Sequence, residues 1–236
     1  MTSYNKNFLT NARREFIRAK VRQVHQKLWD ECRSERALNP NFSSVSILNP
    51  GKALQLLGYK LSTRNLEDWH DGEWVQVAGM VDRASKEVTI SNAQQHDAQL
   101  FTIAHELGHV VLHPYMAILH RDRPVKQTLQ SHDIIEREAN YFAAEFLAPE
   151  KLLRDEFQTI FGEAPFALND HTAFALCASR LEVIQKKLRT RRDLSRYLAE
   201  TISYNGCNFD SLKKRFMVST DVLAIQLEQH GLVAEY

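Results

Sequence analysis

The residues with the plainest chemical capacity are His105-Glu106-Leu107-Gly108-His109, an HExxH string. On a helix, positions four apart stand on one face about one turn apart, so both imidazoles can reach a single metal ion. Glu106 is rotated by about a quarter-turn and can stand beside water at the metal as general base. A catalytic zinc site needs a third protein ligand and one open position. Residues 136–140, Glu-Arg-Glu-Ala-Asn, offer it. Glu136 and Asn140 share a helix face, whereas Glu138 lies roughly opposite, so only one of the two carboxylates can reach the metal. The choice is Glu136, because Asn140 then stands beside it as a hydrogen-bond partner for a ligand histidine. The expected metal ligands are therefore His105, His109 and Glu136. One zinc ion is expected, and His/carboxylate sites also accept manganese or another divalent ion.

The neighbouring residues are read more plainly. His113 lies about 12 Å along the helix axis from His105, so it is expected to pack or to make a polar contact rather than to bind the metal. His96, His120 and His132 read as loop histidines, any one of which could face an oxyanion. Gly108 stands mid-helix, where it costs about 1 kcal/mol against alanine. That points to the close approach of another backbone element.

These residues need elements to hold them. Residues 8–33 read as a helix through Leu9, Ala12, Phe16, Val21, Val24 and Leu28, broken at Asn39 and Pro40. Asn49 can cap a short helix that opens on Pro50 and ends at Gly58. Residues 60–64, 75–81 and 87–91 read as strands, the last two joined by a turn at 82–86. From Asp97 to Pro114 the pattern is helical, through Leu100, Ile103, Ala104, Leu107, Val110 and Val111. Ser131 can cap a second strong helix whose stripe is Ile135, Ala139, Phe142 and Phe146, stopped by Pro149. Residues 150–236 read as several helices with polar joints. Helices, a small sheet, then helices make an α+β protein. The division expected is a basic N-terminal helix over 1–38, a core over 39–159 and a helical region over 160–236.

Composition removes several alternatives. Of 236 residues, 44% are hydrophobic and 25% charged, with a net charge of +1, which is a folding rather than a disordered composition. The longest apolar run, residues 173–178, is far too short to cross a membrane, and residues 1–16 have no apolar leader core. The three cysteines, Cys32, Cys177 and Cys207, form no CxxC and no disulfide framework, so a reducing cytoplasm is the expected location. Charge is uneven: residues 1–27 carry +6, residues 28–178 carry −8 and residues 179–236 carry +3. The basic stretch 180–196 is either a solvated face or a docking face for an acidic partner or nucleic acid.

The segment Phe101-Thr102-Ile103-Ala104-His105-Glu106-Leu107-Gly108-His109 with Leu112-His113 resembles the ImmA/IrrE group of zincin-like metallopeptidases. Residues 136–149, with their Glu, two residues, Ala-Asn, then Phe-Ala and a Leu/Pro ending, are similar to the same group. Val88-Thr89-Ile90-Ser91-Asn92 resembles its strand before the active-site helix. Residues 212–219 with 224–227 and 231–232 resemble, more loosely, a helix-turn-helix-like segment over 211–233. The resemblance implies a zinc endopeptidase with ligands His105, His109 and Glu136 and base Glu106. It also implies a protein substrate, a helix-turn-helix repressor of the Xre type, cut to release stress, phage or mobile-element genes. The chain departs from the group in having no repressor-like domain ahead of the core and extra helical sequence at about 160–205. The strand at 88–91 is either the acceptor of substrate backbone or an ordinary core strand.

Two other functions are compatible with the residues. One is a regulatory protein that binds a protein or DNA and keeps a vestigial or structural metal site; Glu106 speaks against it, since a structural site needs no base. The other is a metal hydrolase of small amides, which would need a closed apolar pocket rather than an open groove. Direct DNA contact by the 211–233 segment is the weaker alternative to partner docking, because the acidic core repels a duplex.

Overall fold

Helix α1 (Asn11–Glu31) begins where the Thr10 hydroxyl accepts the Arg13 N–H, and its buried stripe is Ile17, Val21, Val24 and Leu28. These positions recur at helical spacing. Phe16, expected in that stripe, is instead 43% exposed; the buried face is set one residue later at the helix start, and Ile17 is fully buried. A short α2 (Arg33–Leu38) and a single 3₁₀ turn (Ser44–Ile47) follow. In α3 (Pro50–Leu56), Asn49 Oδ1 accepts the Lys52 N–H at 2.9 Å. Gly58 then takes a φ of +81°, open to glycine without strain. The expected cap, first residue and stop are thus all present. The computed structural model describes residues 9–39, 43–70, 73–93, 96–115, 118–120, 130–162, 164–177 and 181–235. Pro40, Gly72, Arg180 and most of 114–130 lie outside the described residues, as do the side chains of His96, His120, Ser131 and His132.

The main sheet has four strands in the order β1-β5-β4-β6. Strand β1 (Lys60–Arg64) runs parallel to β5 (Glu87–Ser91), with Lys60 opposite Glu87. β5 forms a hairpin with β4 (Gly79–Asp82), and β4 pairs antiparallel with β6 (Ile118–His120). The expected strand at 75–81 is in fact two. Residues 73–76 are β3 (Glu73–Gln76), paired with β2 (Glu67–His70) in a separate two-stranded sheet, and β4 starts at Gly79. The break falls at Val77 and Ala78, whose backbone turns to bond Leu66 and Ser91. Strand β5 is central, bonded on both sides, so it cannot take up a substrate strand; its Val88, Thr89, Ile90 and Ser91 are buried. Among the described residues the sheet's edges are β1 and β6.

Two helices cover this sheet's site. Helix α4 (His96–Leu112) packs on β4 and β5, with Thr102 and Glu106 against Gly79, and its Ala104 and Leu107 are buried. Helix α5 (Gln130–Leu147) starts one residue before the expected cap at Ser131, and Ala139, Phe142, Ala143 and Phe146 are buried. Burying one such phenylalanine is worth roughly 1.5–3 kcal/mol. A Cβ on Gly108 would lie 3.2 Å from Ala139 Cα, Ala139 O and Phe142 Cβ. The missing side chain thus lets α4 and α5 approach closely, as the mid-helix glycine implied.

The chain divides into two compact units, Met1–Phe146 and Leu147–Tyr236. Helix α1 therefore belongs to the first unit and is no separate domain, since it packs on α3 and α4. The second unit begins earlier than the expected residue 160, because α6 (Glu150–Phe161) supplies its core with Leu153, Phe157 and Phe161. Phe161 is ringed by Phe157, Phe166, Tyr204 and Phe209. Helices α7 (Asp170–Cys177), α8 (Leu181–Gln185) and α9 (Arg191–Glu200) follow. A small hairpin of β7 (Ser203–Tyr204) and β8 (Cys207–Asn208), not foreseen, precedes α10 (Leu212–Phe216) and α11 (Thr220–Gln229). The last two helices are joined by a tight turn with Met217 in the left-handed region and Ser219 capping α11. The architecture is a mixed α+β core followed by an extended helical region.

The basic stretch of the second unit is largely spent internally. Arg192 forms two bonds of 2.7 Å to the Glu228 carboxylate, and Arg196 meets Asp221 at 2.6 Å. Arg191 donates to the carbonyls of Glu228 and Val233 and to Glu235. These arginines tie α9 to α11 and the last residues. Lys186 and Lys187 are exposed.

Candidate metal centre

The site is built by α4 and α5. One helical turn brings His105 and His109 to the same face, and their Nε2 atoms face each other at 2.9 Å. From α5, Glu136 reaches both: Oε2 lies 3.1 Å from His105 Nε2 and Oε1 3.4 Å from His109 Nε2. One donor atom from each of these three residues lies within 4.8 Å of the other two. Donors held at about 2.0–2.1 Å around a tetrahedral ion stand roughly 3.3 Å apart. The spacings found are of that size.

The outer ring nitrogens decide whether the inner ones are free to bind. His105 Nδ1 meets Asn140 Oδ1 at 2.9 Å. An amide oxygen only accepts, so the His105 proton sits on Nδ1 and Nε2 presents a lone pair to the centre. His109 Nδ1 meets His113 Nδ1 at 3.1 Å, and His113 Nε2 meets Glu138 Oε2 at 3.0 Å. Glu138 is clamped by Arg13, whose Nε and a terminal nitrogen donate at 2.7 and 2.6 Å. An ionised Glu138 accepts from His113 Nε2. Neutral His113 then accepts at Nδ1, His109 donates from Nδ1, and His109 Nε2 also keeps its lone pair. Both histidines are therefore in the tautomer that binds a cation through Nε2, and a divalent ion fits the donor set.

Charge states agree with this. Burial pushes the His109 and His113 rings below the ordinary histidine range, against the pull of Glu136 and Glu138, so both are neutral at pH 7. Burial works to raise the Glu136 carboxyl, but the facing His105 and His109 rings outweigh it and hold it well below the usual carboxylate range. Glu138 is lowered in the same way, burial being overcome by Arg13 and His113. The ligand set offers two ring nitrogens and one carboxylate.

Glu106 lies between the two histidines in sequence and is fully buried. Its carboxylate rests against β4: a Cβ on Gly79 would come within 2.6 Å of Glu106 Oε1 and 2.9 Å of Thr102 Cγ2. Only a glycine backbone fits there. At the other end of α4, Arg83 from the β4–β5 turn donates to the carbonyls of His109 and His113, the latter at 2.8 Å. It thereby satisfies acceptors the helix end leaves open.

The structure brings His105, His109 and Glu136 together, and it turns Glu138 toward His113, away from the centre. His113 lies outside the ligand cluster and makes the polar contact expected of it. Four contributors escaped the sequence reading: Gly79, Arg83, Arg13 and the Glu138–His113 pair. The same-face rule that links positions 105 and 109 also links 109 and 113, so that contact had a signal. Arg13 had none, because its partner is 125 residues away.

Residues 70–164 match the peptidase M78 family model, described as the IrrE N-terminal-like domain. Among curated proteins no match is found. The matched residues contain every member of the His105, His109 and Glu136 cluster.

Proposed function

We propose that this chain, which carries an IrrE/ImmA-like M78 metallopeptidase domain, is a zinc-dependent endopeptidase acting on a helix-turn-helix repressor of the Xre type. The observation that carries the peptidase reading is the convergence of His105, His109 and Glu136 with Glu106 on the same helix and outside that cluster. A purely structural site would gain nothing from a fixed carboxylate beside its ligands.

When bound, a divalent ion supplies Lewis acidity toward a carbonyl and toward water. The protein's own groups do the rest. Glu136 contributes the one negative ligand, and Asn140 and His113 hold the two imidazoles in orientation. Glu106 takes the proton of the attacking water on its carboxylate and returns it to the leaving amine. The bare backbone of Gly79 leaves the space in which that carboxylate stands. Substrate backbone can add to β6, the sheet edge next to β4 and Gly79, since an edge strand offers unpaired amides and carbonyls.

A protein partner fits the second unit better than a DNA duplex does. Helix α11, the second of the helix-turn-helix-like pair, has no lysine or arginine and carries Asp221 and Glu228. Phosphate binding rests on cations. No helix among the described residues is long and apolar enough to cross a membrane.

The test is cleavage of the product of an adjacent repressor-like gene, with and without chelator. Glu106→Gln is expected to keep metal and to lose turnover by about 10²–10⁴-fold, whereas His105→Ala is expected to lose metal. Cleavage that survives both the chelator and Glu106→Gln would remove this reading. An intact repressor beside efficient cleavage of another protein would overturn only the substrate.

A further inference from the structure

The geometry points to Arg13, on the N-terminal helix and outside the matched residues, as a positioning residue of the metal centre, acting through Glu138 and His113 on His109. The inference rests on the metal reading above and adds to it the part played by α1. Each link is a hydrogen bond between partly or fully buried groups. Arg13 grips Glu138 with two nitrogens; Glu138 holds His113 Nε2; His113 Nδ1 holds His109 Nδ1; His109 Nε2 faces the centre. Exposure of the side chains falls inward along the series, from 35% at Arg13 to 8% at Glu138, 7% at His113 and none at His109.

Direction matters as much as contact. A planar guanidinium offering two parallel donors keeps Glu138 an acceptor and fixes its plane. An acceptor carboxylate obliges His113 to donate from Nε2, and a His113 that donates there must accept at Nδ1. Without Arg13, the Glu138 carboxylate loses the fork that fixes its plane and can turn away from His113 Nε2. His113 is then no longer obliged to donate from Nε2; it can donate from Nδ1, and His109 then carries its proton on Nε2. That second tautomer cannot bind a cation without first moving its proton.

The exposed Phe16 now has a reason. The Arg13 guanidinium lies 4.7 Å from the centre of the Phe16 ring, and Lys20 Nζ lies 5.5 Å from the same ring. The ring supports the arginine from its outer side and limits the positions it can take. A large apolar side chain is thus kept at the surface where the helix could have carried a polar one.

The experiment measures zinc affinity by competition with a chromophoric chelator, together with the thermal midpoint of the metal-free protein. Arg13→Gln is expected to weaken zinc on the order of 10-fold, and His113→Asn on the order of 10- to 100-fold, as for removal of an outer partner of a ligand. Arg18→Gln is the control. It breaks a second ion pair between α1 and α5, that with Glu145 at 3.1 Å, which does not lead to the ligands. It is expected to lower the midpoint and leave zinc affinity as it was. In the double variant Arg13→Gln with His113→Asn, the arginine change should add little, because its route is already cut.

Arg13→Gln no weaker than Arg18→Gln would overturn the inference, and so would fully multiplicative effects in the double variant. If His113→Asn does not fold, Glu138→Gln takes its place with the same expectations. A wild-type chain that binds no divalent ion would instead overturn the metal reading, and this inference with it. Normal zinc binding with an indifferent Arg13 overturns only the present one.

Discussion

Gly79 and Glu106 are packed so closely that a methyl group on the glycine would lie 2.6 Å from the glutamate's Oε1. Strand β4 therefore sets the position of the proposed base. The substitution Gly79→Ala is expected to push the carboxylate aside by a fraction of an ångström to one ångström. Misplacement of that size can cost about 10²-fold in rate. Zinc content by elemental analysis should stay at that of the wild type, since the ligands are on other elements. A Gly79→Ala protein with full turnover would remove the strand from this role.

Gly108→Ala tests the helix contact. Alanine improves helix propensity by about 1 kcal/mol, but its methyl would sit 3.2 Å from three atoms of Ala139 and Phe142. Forcing a methyl into a packed interior costs about 1–3 kcal/mol. The net expected is a loss of about 1 kcal/mol, read as a lower denaturant midpoint at unchanged slope. A gain in stability would mean the helices separate without cost.

His25 makes stability depend on pH. Its ring packs tilted against that of Phe146, centroids 4.7 Å apart, and Nε2 donates to the Phe146 carbonyl at 3.0 Å. Burial pushes it down to about 4, against that hydrogen bond's opposite pull. The unfolded chain, with an ordinary value of about 6.5, therefore binds a proton before the folded one does. Stability from this group is whole above about pH 6.5 and falls as pH drops toward 4, by about 2–3 kcal/mol. Urea midpoints measured from pH 7 to 4 should show the fall, and His25→Gln should flatten it. An equal slope in both proteins would assign the acid loss elsewhere.

The arginines of α9 predict an asymmetry among charge reversals. Arg192→Glu puts a carboxylate against Glu228 and is expected to destabilise the second unit on the order of 1 kcal/mol, less at high salt. Lys186→Glu and Lys187→Glu should leave the midpoint unchanged, because both lysines are exposed. Those two lysines are the ones fit to test docking of an acidic partner, free of any effect on folding.

The readable parts of this protein share one property: their causes are local. Asn49, Pro50 and Gly58 mark out α3 because each acts on its own few residues. His105 and His109 meet because four positions make about one turn, and Glu136 parts from Glu138 for the same reason. What was missed depends on partners far along the chain. The run at 75–81 is strand at both its ends, yet nothing within it tells that it breaks at Val77 and Ala78, with Glu73–Gln76 pairing with β2 and Gly79–Asp82 with β5. Val88 to Ser91 would read alike at an edge or at the centre; only β1 and β4 on either side make it central. Phe16 and Ile17 are both apolar at helical spacing, and the choice between them is made by the surfaces of other helices.

Arg13 and Arg18 clasp two buried glutamates of α5, while the apolar stripe between them and Leu28 lies on neighbouring helices of the same unit. Similarity to the peptidase model begins only at residue 70. A gene fragment recombined at that border would transmit all the ligands and the base, yet strand Glu138 and Glu145 without their cations. Inheritance of that stretch alone would leave behind the arginines that α5 is paired with, which binds the amino-terminal helix to travel with it.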